Sequence, residues 1–199
     1  MNVRRVLVSV SEKEGLCEFV KYLKDRDVEV VATEGTANYL RNNGIDVLRV
    51  SELTGFPEIL GGRIKTLHPE IFGGILGSRR DGTHLQEMDA RGIKPIDMVV
   101  INFRPFLKVA ERTMDENELL ENLDVGGLAL LQASVKNYRD VVVVCDPEDY
   151  RIIMDSLEQC GDIPLQLRRR LVLKALKMLV DYEKKIYEVL KELFGEPLE

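Results

Sequence analysis

The stretch richest in chemical groups is Leu60, Gly61, Gly62, Arg63, Ile64, Lys65, Thr66, Leu67, His68, Pro69. Its paired glycines free the backbone to turn and to approach a ligand. Arg63 carries a planar fork that can grip a phosphate or carbonyl through two hydrogen bonds. Lys65 offers a point charge or, where water is excluded, an ammonium whose lowered pKa suits proton transfer. An ordinary turn with solvated cations has the same composition. Ser11, Glu12 and Lys13 lie between an apolar run and a helical pattern, where unpaired amides and an ammonium can receive a phosphate. They read equally well as an N-cap and a solvated lysine. Thr33, Glu34, Gly35 and Thr36 place two hydroxyls and a glycine before a second helical pattern, another possible phosphate cradle. Asp124, Val125, Gly126 and Gly127 precede a third helix, closed by Lys136 and Asn137. An aspartate there is more often a helix cap than a catalyst.

Short β-branched runs alternating with helical patterns are what must position these groups. Val3 to Val10 reads as a strand, and Ser11 with Glu14 as a capping box opening a helix to about Asp25. Val28 to Ala32 is the next strand, Thr36 to Asn43 a helix closed by Gly44, and Ile45 to Val50 a third strand. Residues 51–80 hold six glycines and two prolines with little periodicity, the mark of an ordered active loop. Helices are expected at Thr83 to Arg91, Glu116 to Leu123 and Leu128 to Lys136, with strands at Met98 to Phe103 and Val141 to Cys145. After Pro147 the pattern is helical only: Glu148 to Gln159, then one or two long amphipathic helices over Leu165 to Phe194. Leu171, Ala175, Met178, Tyr182, Ile186, Val189 and Leu193 form a stripe that either packs on the sheet or pairs two copies of the chain. The expected fold class is α/β, a three-layer sandwich with a mainly parallel sheet over residues 1–146 and C-terminal helices over 147–199. Ligands of such a sheet bind beyond the carboxyl ends of its strands, which is where three of the segments above fall.

The chain has 199 residues, 45% hydrophobic and 31% charged, enough apolar material for a substantial core. A net charge of −6 argues against nucleic-acid binding by phosphate neutralisation, while leaving small anions open. No apolar run approaches the roughly 20 residues of a membrane span, so the expectation is no membrane and a cytoplasmic protein. Cys17, Cys145 and Cys160, with only His68 and His84, make no familiar metal pattern, and reduced, buried thiols are expected.

LGGRIKTLHP at 60–69, SELTGFPE at 51–58, DVGG at 124–127 and VKN at 135–137 together resemble the inosine monophosphate cyclohydrolase domain. That domain is the amino-terminal half of a bifunctional purine-biosynthesis enzyme that also carries a formyltransferase. The resemblance runs from about Val3 to the last helix. It implies a methylglyoxal-synthase-like sandwich, usually a homodimer, that closes the ring of 5-formamidoimidazole-4-carboxamide ribotide to inosine monophosphate and water with no cofactor and no metal. It implies cyclohydrolase activity without a fused formyltransferase, which a separate protein would then supply. By the same resemblance Ser11, Glu12, Lys13, Thr33, Glu34, Gly35, Thr36, Arg63, Ile64, Thr66, Asn102, Val125 and Gly126 bind substrate, and Lys65, Asp124 and Lys136 are the catalytic candidates.

Three positions depart from the family's pattern. Arg104 stands where Tyr is common, Glu34 replaces a glycine in the Thr33 to Thr36 segment, and Gln132 stands where Arg is common. Arg104 can stack on a purine and donate hydrogen bonds but cannot act as a base at ordinary pH. Glu34 puts a carboxylate beside a proposed phosphate, unfavourable unless it turns outward, and removes a glycine's access to positive φ. Ring closure needs a stabilised oxyanion, expected from Lys65, and proton transfer on the carboxamide, expected from Asp124 with Lys136. A straight helix would separate those two by well over 13 Å at about 1.5 Å per residue, so either the helix breaks or they touch different substrate ends. The competing readings are a catalytically silent purine-nucleotide-binding module, a phosphate-eliminating lyase of the methylglyoxal-synthase type, and a structural partner of a formyltransferase.

Overall fold

The computed structural model describes residues 3–195. In chain order its elements are β1 (Arg5–Ser9), α1 (Leu16–Lys24), β2 (Glu29–Ala32), α2 (Glu34–Asn42), β3 (Leu48–Arg49), α3 (Val50–Thr54), α4 (Pro69–Leu76), α5 (Gly82–Ala90), β4 (Met98–Ile101), α6 (Phe106–Ala110), α7 (Glu116–Glu121), α8 (Val125–Lys136), β5 (Val142–Val144), α9 (Asp149–Cys160) and α10 (Leu165–Phe194). The strands form one sheet in the order β3-β2-β1-β4-β5, with every neighbouring pair parallel. Leu7 in β1 sits opposite Val31 in β2 and Val99 in β4.

Helices cover both faces of this sheet, so the middle residues of its long strands are consecutive apolar ones instead of alternating with polar residues. Val6, Val8, Val30 and Met98 point into one layer with Leu16 and Phe19 of α1, Leu40 of α2 and Ile153 of α9. Leu7, Val31, Val99 and Val143 point the other way, against Ile71 and Ile75 of α4, Leu130 and Leu131 of α8 and Ala175 of α10. Each fully buried Leu or Phe contributes roughly 1.5 to 3 kcal/mol. The sheet order reverses between β1 and β4, where the loop leaving β1 is hydrogen-bonded to Asn102 and the segment beyond β4 brings Arg104 to the cavity of the candidate site.

Several local expectations change. The Ser11–Glu14 capping box does not form: α1 begins only at Leu16, with Gly15 as N-cap at φ 65°. The third strand is cut to Leu48–Arg49, because the Glu52 carboxylate accepts the Arg49 amide at 2.8 Å and starts α3 there. Residues 51–80 are not one long loop. Pro69 opens α4 behind the His68 cap, and its glycines serve packing, since a Cβ at Gly74 would meet the Lys94 carbonyl at 2.8 Å. That close approach hides the helical periodicity.

Residues 165–194 make a single 30-residue helix. The stripe from Leu171 to Leu193 packs on its own chain: Leu171 and Ala175 against the sheet layers, Tyr182 with Phe106, Val109 and Leu119 in a satellite cluster. All three cysteines are free thiols, but only Cys145 is buried; Cys17 is half-buried and Cys160 exposed. Among the described residues no helix is long and apolar enough to cross a membrane.

Candidate active site

Asn102, the first residue beyond β4, organises the switch point. Its Oδ1 accepts the amides of Ser11 at 2.6 Å and Glu12 at 3.0 Å, and its Nδ2 donates to the Glu12 carbonyl at 3.0 Å. The Ser11 and Glu12 amides are therefore tied to Asn102 and do not form a free helix N-terminus. Lys13 Nζ donates to the carbonyls of Val10 at 3.3 Å and Ser11 at 3.1 Å and lies 5.6 Å from the centroid of the Tyr39 ring. Burial lowers its pKa from the usual lysine value. Glu12 pairs with Lys108 at 2.5 Å.

The Thr33–Thr36 segment caps the next strand. Thr36 Oγ1 donates to the Val10 carbonyl at 3.2 Å and accepts its amide at 3.3 Å, so this buried hydroxyl stitches α2 to the end of β1. Thr33 Oγ1 reaches Ser9 Oγ and Thr36 Oγ1, both at 3.4 Å. Gly35 opens on free space. Glu34 turns away from it: Ser51 Oγ donates to one carboxylate oxygen at 2.6 Å, and Arg49 Nε lies 3.3 Å from the other. Glu34 is the first residue of α2, where its charge complements the helix dipole. Positive φ is not needed there: among the described residues only Asp27 and Leu60 combine a side chain with positive φ.

The glycine-rich run is a pinched loop. Ile59 and Ile64 exchange backbone hydrogen bonds across it, and Leu60, Gly61 and Gly62 follow one another at φ 54°, 64° and 87°. Glycine is needed at the last two, and Leu60 carries strain that the Ile59–Ile64 bridge holds in place. Beyond this turn Arg63 pairs with Glu121 of α7, and Thr66 is 1% exposed, its Oγ1 lying 3.1 Å from where a Cβ on Gly126 would stand. Arg104 Nη1 donates to the Glu121 carbonyl at 2.8 Å, and the Arg104 amide donates to Asp124 Oδ2 at 3.0 Å. Asp124 is the N-cap of α8, its Oδ1 accepting the Gly127 amide at 2.7 Å. Arg63, Lys65, Arg104, Asp124, Val125 and Gly126 line a cavity of about 310 Å³. Three cations and two carboxylates, those of Asp124 and Glu121, surround it, a balance that suits an anionic ligand with polar heterocyclic edges. Ile64 is half-buried beside it. A wider groove of about 850 Å³ runs along α10 on the far side of Arg104 and has Glu12 and Asn102 in its wall. Of these two cavities the smaller is the one lined by both Lys65 and Asp124.

Lys136 is not brought to this cavity. Helix α8 runs unbroken through its 12 residues, about 18 Å at 1.5 Å each, and leaves Lys136 exposed at the end opposite Asp124. Of the two alternatives, the broken helix is removed, and Asp124 and Lys136 of one chain can only meet different ends of a substrate. Gln132 is exposed on the same helix. Two residues of the site carry no signal in local motifs: Glu121, which holds Arg63 and Arg104, and Tyr182, whose hydroxyl accepts the Asp124 amide at 3.2 Å. Tyr182 was legible only as one member of an apolar helical stripe.

A family model described as MGS-like domain matches residues 15–129, and one described as AICARFT/IMPCHase bienzyme matches residues 134–198. The "Bifunctional purine biosynthesis protein PurH" of Persephonella marina is 44% identical over 192 residues, covering 96% of this chain and 37% of that protein. The protein of the same description from Bacillus subtilis is 42% identical over 197 residues, 98% of this chain and 38% of its own length. The chain thus spans little more than a third of these curated relatives. A solved structure described as "Crystal structure of ForH" superposes with a TM-score of 0.83 at 33% identity, covering 94% of this chain and 98% of its own.

Proposed function

The chain belongs to the MGS-like domain family, in the form continued by the AICARFT/IMPCHase bienzyme region, and from that membership we propose that it is an IMP cyclohydrolase working in the ring-closing direction. The substrate is 5-formamidoimidazole-4-carboxamide ribotide. The carboxamide nitrogen attacks the formyl carbon, a C–N bond forms, and the formyl oxygen takes up a proton. The carboxamide nitrogen gives up one of its two protons, the formamido nitrogen gives up its own, and the hydroxyl departs as water, leaving an N–H on the attacking nitrogen and the C=N bond of the closed ring on the former formamido nitrogen. Both reacting groups belong to one molecule, so orientation supplies much of the acceleration.

The observation that carries this reading is the convergence of Lys65, Arg104 and Asp124, from three separate segments, on one cavity at the carboxyl end of the sheet. The Lys65 ammonium stabilises the oxyanion growing on the formyl oxygen. The Asp124 carboxylate, aimed by the amides of Arg104 and Gly127, receives the carboxamide proton. Arg104 stacks on the purine face and donates hydrogen bonds where relatives of this type use a phenol. The ribotide phosphate binds beside Lys13 and Gly35 at the start of α2, with Arg63 released from Glu121 to meet it.

The protein acts as a homodimer in this reading. Leu173, Leu176, Val180, Tyr187 and Phe194 recur at three-, four- and seven-residue steps on the outer face of α10 and are exposed. A formyl-transfer reaction must precede this one, since the substrate arrives formylated.

The deciding experiment is spectrophotometric ring closure by the purified protein. Turnover of the formamido substrate to inosine monophosphate supports the proposal. Product binding without turnover would establish the silent nucleotide-binding module, the reading that Arg104 in place of a phenol favours.

A further inference from the structure

The backbone N–H of an N-cap residue needs an acceptor that the helix itself does not supply. The common solution is a Glu or Gln side chain at the third helical position reaching back to it. In α8 that position is Gly127, and a side chain there would have to displace the cap itself, because its Cβ would lie 2.7 to 2.8 Å from the carboxylate atoms of Asp124. The acceptor comes instead from 58 residues away, where Tyr182 of α10 presents its hydroxyl oxygen 3.2 Å from the Asp124 amide. Tyr182 is 5% exposed, and its ring centroid lies 4.6 Å from that of Phe103 and 6.2 Å from that of Phe106. Phe103 immediately precedes Arg104, whose own amide holds the Asp124 carboxylate. A single phenol therefore touches two of the three segments that line the cavity, those of Phe103–Arg104 and Asp124. Burial pushes its pKa up to about 12, so it stays protonated near neutrality and is no base.

Building on the cyclohydrolase reading, we infer that Tyr182 is the positioning residue that aims the Asp124 carboxylate, standing in for the capping side chain that Gly127 cannot carry and joining α10 to the catalytic centre. It acts through Asp124 and through the Phe103–Arg104 backbone, without contact to the reacting atoms.

The test is Tyr182→Phe, which keeps the ring and its packing and removes only the acceptor. Ring closure should slow about tenfold in kcat with KM within about twofold, since aim and not affinity is lost. Exchange of the Asp124 amide with solvent, followed by NMR, should quicken about tenfold while that of Leu130 in the same helix stays unchanged. Wild-type kcat in the variant, a change confined to KM, or amide exchange that is unaltered or raised equally at Leu130 would each overturn the inference. Should the wild-type protein show no ring closure, the cyclohydrolase reading fails separately, and exchange at Asp124 against Leu130 still decides the role of Tyr182.

Discussion

The amide of Arg104 donates to Oδ2 of Asp124 at 3.0 Å, so the segment after β4 and the cap of α8 hold each other across the candidate site. The same carboxylate takes the Gly127 amide through Oδ1 at 2.7 Å. Two backbone donors, approaching from different elements, leave the Asp124 carboxylate with little rotational freedom. Lys65 faces this fixed anion from the opposite loop, and the charge arrangement is in place before any ligand arrives.

Lys65→Ala should lower kcat about a hundredfold, the loss typical of removing one preorganised donor to an oxyanion, with the thermal midpoint nearly unchanged because Lys65 packs no core. Steady-state ring closure with parallel melting curves checks both. A loss confined to KM would mean that Lys65 binds substrate without acting on the oxyanion.

Gly127→Ala should destabilise the fold by about 1 to 2 kcal/mol and depress turnover at the same time. Its new Cβ must displace the Asp124 carboxylate, which costs the cap and the aim together. Denaturant titration and turnover of one preparation give the two numbers; wild-type behaviour in both would show that the carboxylate has another resting place.

Glu34→Gly restores the residue common in the family, yet KM for the ribotide should move by no more than about twofold. Ser51 and Arg49 already hold the Glu34 carboxylate away from the open face of Gly35. Stability should drop by about 0.5 to 1 kcal/mol as the helix-terminal charge and its partly exposed ion pair are lost. A KM that falls tenfold would place the wild-type carboxylate beside the phosphate.

Above pH 9 the fold should lose stability as the pH rises. Burial, with Asp149 nearby, pushes the Cys145 thiol up from its ordinary 9.0 to about 11. The unfolded chain releases this proton from about pH 9 while the folded chain keeps it until about pH 11. Unfolding is thus favoured progressively across that window, by roughly 2 to 3 kcal/mol at its upper end. Chemical denaturation at pH 7.5, 9 and 10.5 should show the decline, and Cys145→Ala should make it shallower, leaving the part contributed above pH 10 by buried phenols such as Tyr182. An equal slope in the variant would assign the effect to other groups.

Light scattering should find a dimer that Leu173→Glu with Val180→Glu converts to monomer. The two side chains are 69% and 59% exposed in the single chain, and a charge at each would have to be buried in any pairing along that face of α10. A wild-type monomer at micromolar concentration removes the pairing.

Much of the architecture was legible along the chain because it depends on near neighbours. Apolar runs of four or five residues give the buried strands, three- and four-residue steps give α1 and α10, and Gly44 marks the end of α2. The glycine-cation run from Leu60 to Pro69 supplies Gly62, Arg63 and Lys65 to one cavity wall, and its backbone turn depends on Gly61 and Gly62 themselves. Local rules misread Ser11, because the same serine-to-glutamate spacing opens a helix or leaves a strand depending on what meets its amide. Here that is Asn102, 91 residues further on.

Sequence by itself thus determined the layers, the order of the strands along the chain and most of the chemical groups around the cavity, all of which follow from periodicity and residue type; the short helices α3, α4 and α6 and the parts played by Glu121 and Tyr182 did not show in it. Tertiary structure alone decided the pairings: Thr36 with Val10, Glu34 with Ser51 and Arg49, Arg63 with Glu121, and Tyr182 with Asp124. It also decided that Lys136, 12 positions beyond Asp124, lies at the far end of an unbroken helix from it. The physical reason is one of range. Periodicity reports which face of an element is buried, whereas a hydrogen bond between residues far apart in the chain depends on how the packed layers set their ends side by side.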